Sequence, residues 1–326
     1  MTRFETTLRT GALAVVLAAP LAVATPASAQ QYPDPAQTLD WTIAFGPGGG
    51  NDIMARTIVD ILNTYDLYPG DISVENRAGG SGAVGWGYLY GQSGSGYGIS
   101  TTSGSFVTTP LQADTPWQPA DFTPVALLAT DDLVLVVNGS SPIQSIDEFI
   151  AYAQENPTTI AGTGTVNVDF IVPTLFAKAA GFEFEYVSFN SMADQTTALL
   201  SESVDAMVGN PGEILGLIDS GDLRALVYSG NSTPAALEGV PTMGDVGYDI
   251  GVSMPRGLIL PPDAPAEAQA FWIQTMQRVV ETPEWAAYIE NNTLTPTILY
   301  GEEFRTFLTR TQNGFAEVLR SVGAIQ

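Results

Sequence analysis

Two glycine loops hold most of the chemical promise of this sequence, and neither depends on a reactive side chain. The first is Gly46-Pro47-Gly48-Gly49-Gly50, followed by Asn51 and Asp52. Trp41 to Phe45 ahead of it is a short apolar run with the length of a buried strand. Asn51 and Asp52 are good N-cap types, and Ile53, Met54, Ile58, Ile61 and Leu62 make a helical stripe that runs to about Asn63. Strand, glycine loop and helix start together aim several backbone N–H groups at one point, on the positive end of a helix dipole. That is an anion cradle without a charged side chain. Three consecutive glycines leave the backbone open to a close ligand. The second loop repeats the logic: Ile160-Ala161, then Gly162-Thr163-Gly164-Thr165, then a helix to about Ala180. Two such cradles facing across a cleft could hold both ends of a dicarboxylate. Hydrogen bonds to charged groups contribute roughly 1.5–3 kcal/mol each, and micromolar affinity needs about 8 kcal/mol net.

Other readings of the same residues stay open at this level. A Walker A loop requires a Lys after its glycines, and none follows Gly50. The dinucleotide fingerprint G-x-G-x-x-G is met at Gly46 and Gly48, but Asn51 stands at its third glycine; Glu75 could imitate the ribose-binding acid. Either loop can also be a structural turn. Arg56 and Arg77 are candidate carboxylate clamps or packing arginines. Asp52 and Asp169 read as helix caps, and Trp272, Trp285, Phe304 and Phe307 fall at helical spacing and read as core.

Composition narrows the chemistry. The chain has no Cys and no His, which removes thiol catalysis, Ser-His-Asp triads and ordinary zinc sites. An all-carboxylate calcium or magnesium site stays possible, but no EF-hand spacing is present. No catalytic residue, cofactor or metal is therefore expected. Acidic residues number 35 against 11 basic ones, of which only Lys178 is a lysine. Nucleic acid and anionic membrane surfaces are poor partners for such a chain. The same charge opposes an anionic ligand, yet the Debye length is only about 8 Å at physiological ionic strength and about 3 Å at 1 M salt. A salty habitat and ordinary solubility both account for the acidic excess.

The elements that must position the loops follow from the patterning. Asp71 to Glu75 is a second strand, Asn76 to Gly82 another glycine-rich loop, Trp86 to Tyr90 a short helix, and Tyr97 to Thr102 a third strand ending in Ser103-Gly104-Ser105. This βαβαβ order implies a parallel sheet with ligand groups at the strand C-terminal ends. Phe122 to Ala129 and Leu133 to Val137 are strand-like and hold a first crossing between domains. Ser145 caps a helix to about Gln154, Glu185 to Phe189 is a strand, Asn190-Ser191 precedes a helix to about Glu202, and strands follow at Asp205 to Gly209 and Leu223 to Ser229. Ser253 to Leu260 is the return crossing. The remainder reads as helical: Ala266 to Val280, a helix opened by Thr282-Pro283, and Glu302 to Val322 with Phe304, Phe307, Leu308, Phe315, Val318, Leu319 and Val322 on one face.

The first 29 residues read as a secretory signal peptide. Arg3 and Arg9 start it, Gly11 to Thr25 is a small-residue apolar run, and Ala27-Ser28-Ala29 is a cleavage signal before Gln30. The run is about 15 residues, short of the roughly 20 a membrane span needs.

Several stretches then resemble one family. Phe45-Gly-Pro-Gly-Gly-Gly-Asn-Asp-Ile-Met-Ala-Arg56 is similar to the "PPGGxTDxxAR" opening of the substrate-binding proteins of tripartite tricarboxylate transporters, the Bug or TctC family. Val74-Glu-Asn-Arg-Ala-Gly79 with Gly85 resembles its "VENRPGAGGxxG". Tyr97-Gly-Ile-Ser resembles "DGYTL", and Gly162-Thr-Gly-Thr to Val168-Asp169 resembles "GxGSxxxDH". Val240-Pro-Thr242 with Gly247-Tyr248, Pro255-Arg-Gly257, Pro283-Glu-Trp285 and Gly301-Glu-Glu-Phe304 also fit, in order across nearly the whole mature chain. The resemblance implies a two-domain, periplasmic-binding-protein type II-like α/β fold that closes about a hinge. Its domains would be residues 30–130 plus about 255–326, and 131–254. The ligand would be a small carboxylate, held through backbone N–H, hydroxyls and waters and passed to transporter membrane subunits. The implied contacts are Phe45, Gly49, Gly50, Asn51, Asp52, Ser103, Gly104 and Ser105 in the first domain. In the second they are Gly164, Thr165, Val166, Asn167, Asp169, Asn190 and Asn210. Four departures stand out: Asn51 for the usual Thr, Phe170 for the usual His, Ser188-Phe-Asn-Ser191 for "PYKG", and Ser95-Gly96 for Pro-Asp-Gly.

The expectation is a periplasmic monomer that binds a di- or tricarboxylate or an aromatic acid without turnover. A sensory protein that presents its ligand to a membrane kinase is one alternative, and an exported nucleotide-cofactor enzyme another. Expressed with its leader, the mature protein is predicted to begin at Gln30 by intact mass and to sediment as a monomer. A chain retained in the membrane would contradict the signal-peptide reading.

Overall fold

The structure is a computed structural model that describes residues 1–2, 32–163, 168–189, 191–250, 252–321 and 323–325. Residues 3–29 of the expected signal peptide and Gly164, Thr165, Val166, Asn167 and Asn190 lie outside the described residues. In chain order the first half runs β1 (Leu39–Ile43), α1 (Gly50–Thr64), β2 (Ile72–Asn76), α2 (Ala83–Tyr90), β3 (Gly98–Thr101), α3 (Gly104–Gln112), β4 (Thr123–Asp131), β5 (Val134–Asn138) and α4 (Ile146–Glu155). The second half runs β6 (Thr159–Thr163), α5 (Val168–Ala180), β7 (Glu185–Phe189), α6 (Met192–Leu200), β8 (Ala206–Gly209), α7 (Pro211–Ser220), β9 (Leu223–Tyr228), β10 (Met254–Leu260), α8 (Ala266–Val279), α9 (Pro283–Asn291), β11 (Thr295–Tyr300) and α10 (Glu302–Ser321).

These strands form two sheets. The first has the order β11-β4-β10-β3-β1-β2 and the second β7-β6-β8-β5-β9. The chain leaves the first sheet between β4 and β5 and returns between β9 and β10. The parallel sheet expected from the βαβαβ order is only half of the first sheet. β2, β1 and β3 are parallel, but β10 pairs antiparallel with β3 and β4, and β11 antiparallel with β4. β11 replaces part of the expected helical tail. Its Pro296 sits on an edge strand, where a missing N–H is tolerated, and its Thr, Ile and Tyr residues suit a pleated surface. Two helices were also not anticipated: α3, with Pro110 inside it, and α7, with Pro211 at its first position. A Pro after Asn210 is a helix-start signal, so α7 was readable.

Both faces of the first sheet are covered. On one side Trp41 and Ile58 pack with Trp272 of α8 and Trp285 of α9; the Trp41 and Trp272 rings meet edge-to-face at 6.3 Å. On the other side Trp86, Phe106, Trp117 and Phe122 form an aromatic cluster joined by Phe304, Phe307 and Phe315 of α10. Phe106 stacks on Trp117 at 5.6 Å and meets the edge of Trp86 at 5.1 Å. Trp86 donates its Nε1 hydrogen to the Thr101 carbonyl at 3.0 Å. These contacts fix the start of α3 relative to the end of β3, so the core places the Ser103 to Ser105 corner. Trp272, Trp285, Phe304 and Phe307 are core, as their spacing suggested.

Gly257 lies where β10, β4 and α10 meet. A Cβ there would fall 2.5 Å from the Ala126 carbonyl oxygen and 2.5 Å from Phe304. Gly257→Ala is therefore predicted to destabilise the fold by about 1–3 kcal/mol through overpacking. A urea midpoint equal to wild type would show that this contact is not tight.

Candidate functional site

The first glycine loop turns at Gly48, whose φ of +82° is a conformation other residues rarely adopt. Helix α1 then begins at Gly50 with Gly49 as its N-cap. This corrects the reading of Asn51 and Asp52 as caps: both are buried in the first helical turn. Asp52 instead ties the loop down from behind. Its Oδ2 accepts from Gly48 N at 2.9 Å, and its Oδ1 accepts from Arg56 Nε and Asn76 Nδ2, each at 2.9 Å. Asn76 also donates to the Phe45 carbonyl at 2.9 Å. Burial would raise the Asp52 carboxyl, but the Gly48, Asn76 and Arg56 contacts outweigh it and hold it below the usual carboxylate range.

Arg56 and Arg77 act in that scaffold. Arg56 pairs with Asp52 and reaches Asn76 at 3.1 Å. Arg77 pairs with Glu75 at 2.8 Å, donates to Thr42 Oγ1 at 2.8 Å and lies 3.8 Å over the Tyr88 ring. Neither is among the residues that border the cavity in front of the loop.

That cavity has a volume of about 270 Å³ and lies where α1 and α3 both begin. It gathers seven of the expected residues: Phe45, Gly49, Gly50, Asn51, Ser103, Gly104 and Ser105. Four more complete the lining: Thr108, Val168, Met254 and Arg256. Neither N-cap, Gly49 nor Ser103, makes a side-chain cap hydrogen bond. Asp52 N and Phe106 N turn back to the carbonyls of Gly49 and Ser103, which leaves the N–H groups of Gly50, Asn51, Gly104 and Ser105 without a partner among the described residues. Three side-chain atoms at the same place are buried without a hydrogen-bond partner among the described residues: Asn51 Oδ1, Ser103 Oγ and Arg256 Nε. Buried polar groups are normally satisfied, so such a cluster marks a place for a polar ligand or water.

Three expected residues lie elsewhere. Asp52 is behind the loop, as described. Asp169, like Asp52, is not the cap its sequence suggested: it is buried in the first turn of α5, and its Oδ2 accepts from Thr163 N, at the end of β6, at 2.9 Å. Asn210 lines an adjoining cavity of about 320 Å³ on the other side of Gly49 and Gly50, and its side chain donates to Asp131 Oδ1. Thr108 follows Gly104 by one helical turn and would have come with recognition of α3. Arg256 had no local signal: it enters from β10, far along the chain. Its guanidinium pairs with Asp131 and packs against Gly50, where a Cβ would fall 2.6 Å from Nη2.

Carboxylates crowd this seam. Burial pushes Asp169 up to about 6, with the Thr163 N–H opposing and Glu213 and Asp131 adding to the rise. Burial and Asp131 raise Glu213. Burial likewise pushes Asp132 up to about 6. No group of three or more acidic residues among the described residues is arranged to hold a metal ion.

Two α/β sheets with a cavity at helix starts and strand C-terminal ends define a two-domain binding-protein fold. A family model described as "Tripartite tricarboxylate transporter family receptor" matches residues 63–323. The chain belongs to that family of periplasmic solute-binding proteins, which carry small organic acids to a transporter rather than transform them. It is similar to Protein BugT of Bordetella pertussis, with 28% identity over 93% of this chain and 94% of that one. Among solved structures it is similar to a TctC solute-binding protein from Polaromonas, with TM-score 0.81 and 21% identity over 89% of this chain and 100% of that one. It is also similar to an R. palustris protein solved with adipate, with TM-score 0.70 and 22% identity over 89% of this chain and 98% of that one.

The raised Asp169 carboxyl gives a pH prediction. Its folded value lies above its ordinary 3.8, so the folded state binds the extra proton between about pH 4 and 6. Stability from this group is therefore full below pH 4 and lost as pH rises through about 6. The loss is on the order of 3 kcal/mol. Urea midpoints from pH 4 to 7 should fall less steeply in Asp169→Asn than in wild type; parallel curves would mean that Asp169 titrates normally.

Proposed function

We propose that this protein captures one small organic carboxylate in the cavity between α1 and α3 and delivers it to the membrane subunits of a tripartite tricarboxylate transporter. The observation that carries this reading is the pair of uncapped helix starts facing a cavity with unpartnered polar atoms. A carboxylate accepts from such N–H groups, gains from both helix dipoles, and can take the Ser103 hydroxyl hydrogen. The Asn51 amide can turn its Nδ2 inward, since its orientation is set by what it meets. Phe45, Val168 and Met254 offer the carbon skeleton an apolar wall.

The proposal extends to the opposite wall. Gly164, Thr165, Val166, Asn167 and Asn190 would meet the far end of the ligand when the lobes close. The lobes would be residues 30–130 plus about 255–326, and 131–254, with a hinge at the two crossings. The adipate held by the R. palustris relative supports a dicarboxylate among the candidate ligands. The protein would act as a monomer in the periplasm.

A thermal-shift screen of the mature protein against di-, tri- and aromatic carboxylates, with NAD and ATP as controls, tests the reading. A ligand at 100 times its dissociation constant adds about 2.7 kcal/mol of stability, a shift of a few degrees. Asn51→Ala and Ser103→Ala should each weaken the best acid by about tenfold while the unliganded midpoint stays close to wild type. A nucleotide shift with silent acids would instead favour a cofactor-binding exported protein.

A further inference from the structure

Arg256 is the only basic residue that borders the cavity among the described residues. The undescribed stretch 164–167 and Asn190 contain none. Arg56 and Arg77 are committed to Asp52 and Glu75, Lys178 to Glu317, Arg305 to Glu302, and Arg224 to the carbonyls of Gly139, Ser141 and Ile143. The anion cradle thus has one full positive charge within reach.

That charge is held in an unusual way. Arg256 lies on β10 beside a register shift at Arg256/Gly257, the kind of irregularity that re-aims a side chain. Its Nη2 edge meets Asp131 Oδ2, and Asp131 in turn accepts from Asn210 through Oδ1. Nε is different: it is buried with no partner among the described residues, and the guanidinium packs against Gly50 at the start of α1. A guanidinium has five N–H donors in a fixed fork and commonly serves two carboxylates at once. Burying one with an unpartnered N–H is costly unless an acceptor arrives.

We propose that Arg256 is a ligand-binding residue whose unpartnered N–H groups receive the ligand carboxylate, while Asp131, itself held by Asn210, keeps the guanidinium in place through Nη2. This rests on the carboxylate-receptor reading above. The arrangement gives Gly50 a reason to lack a Cβ: one there would fall 2.6 Å from Nη2 and 2.9 Å from Nη1, so the guanidinium can sit at the start of α1 only against a glycine. It also gives Asn210 a role without direct ligand contact. Asn210 belongs to the second sheet's α7 and Asp131 to the first sheet's β4, so the orientation of the ligand-binding cation depends on both sheets. Among the described residues Arg256 is the one cation paired with Asp131, with Asp132, Asp169, Glu213, Tyr228 and Tyr288 as the other titratable neighbours.

The test is titration calorimetry with succinate, glutarate, adipate and benzoate, each beside its primary amide. The proteins are wild type, Arg256→Gln, Arg256→Lys, and the double variant Asp131→Asn/Arg256→Gln, which removes both charges together should the single change not fold. Wild type should prefer acid to amide. Arg256→Gln and the double variant should lose 10- to 100-fold of acid affinity with little change for the amide, so that the preference collapses. Arg256→Lys, with charge but no fork, should fall between. If the folded variants keep wild-type acid affinity and the acid-over-amide preference, Arg256 is a structural strut and this proposal is overturned while the receptor reading stands. If wild type binds none of these acids, the carboxylate reading of the cavity fails and this inference with it.

Discussion

Backbone N–H groups at the start of a helix need a partner from outside the helix, and among the described residues this protein begins two helices around one cavity with no side-chain cap at either. At α1 the N-cap is a glycine, and at α3 it is a serine whose hydroxyl does not cap. The usual solution, a side-chain oxygen folded back onto the second or third N–H, contributes about 1 kcal/mol to helix stability. Leaving it out at both starts keeps donors available for an incoming anion. The rest of the site is arranged to make that arrangement hold: Asp52 ties the loop down from behind, and the Trp86–Phe106–Trp117 cluster seats α3.

The topology explains why these starts meet. β1 and β3 are parallel neighbours, so the loops that follow them leave the same edge of the sheet and feed α1 and α3 side by side. The strands that enter antiparallel, β10 and β4, reach that edge with their opposite ends: Asp131 closes β4, while Met254 and Arg256 open β10. The seam therefore receives backbone donors from the parallel half of the sheet and side-chain charge from the antiparallel half. The second sheet joins it through Val168, which lies 3.1 Å from where a Cβ on Gly104 would sit.

Electrostatics set a balance at this seam. The chain carries a net charge of −24, and Asp131, Asp132, Asp169 and Glu213 gather close to the cavity. Burial raises Asp132, Asp169 and Glu213, the first two to about 6, so both stay mostly ionised at pH 7. Arg256 offsets Asp131, so the charge nearest the helix starts is a paired one. Screening limits the opposition from distant surface acids to about a Debye length.

Much of this protein was legible in its residues. Gly46 to Gly50 after an apolar run, and Ser103-Gly104-Ser105 after another, announced strand ends opening onto donors, because glycine and small polar residues there leave the backbone accessible. The absence of Cys and His removed most chemistry, and the ordered motifs pointed to the family. Local signals were enough for these features because they arise from neighbours in the chain. The antiparallel half of the first sheet was not legible, since TPTILY and MPRGLIL carry no mark of the strands they will pair with. Nor was the duty of Asp52, which looked like a cap and serves as an anchor because Asn76 and Arg56 reach it only in the folded chain. Arg256 is the clearest case: Pro255-Arg-Gly257 fitted the family, but nothing near the arginine in sequence gave it a partner or a place at the site. Only tertiary structure brings it against Gly50 and Asp131, because a buried charge takes its role from the partners that surround it.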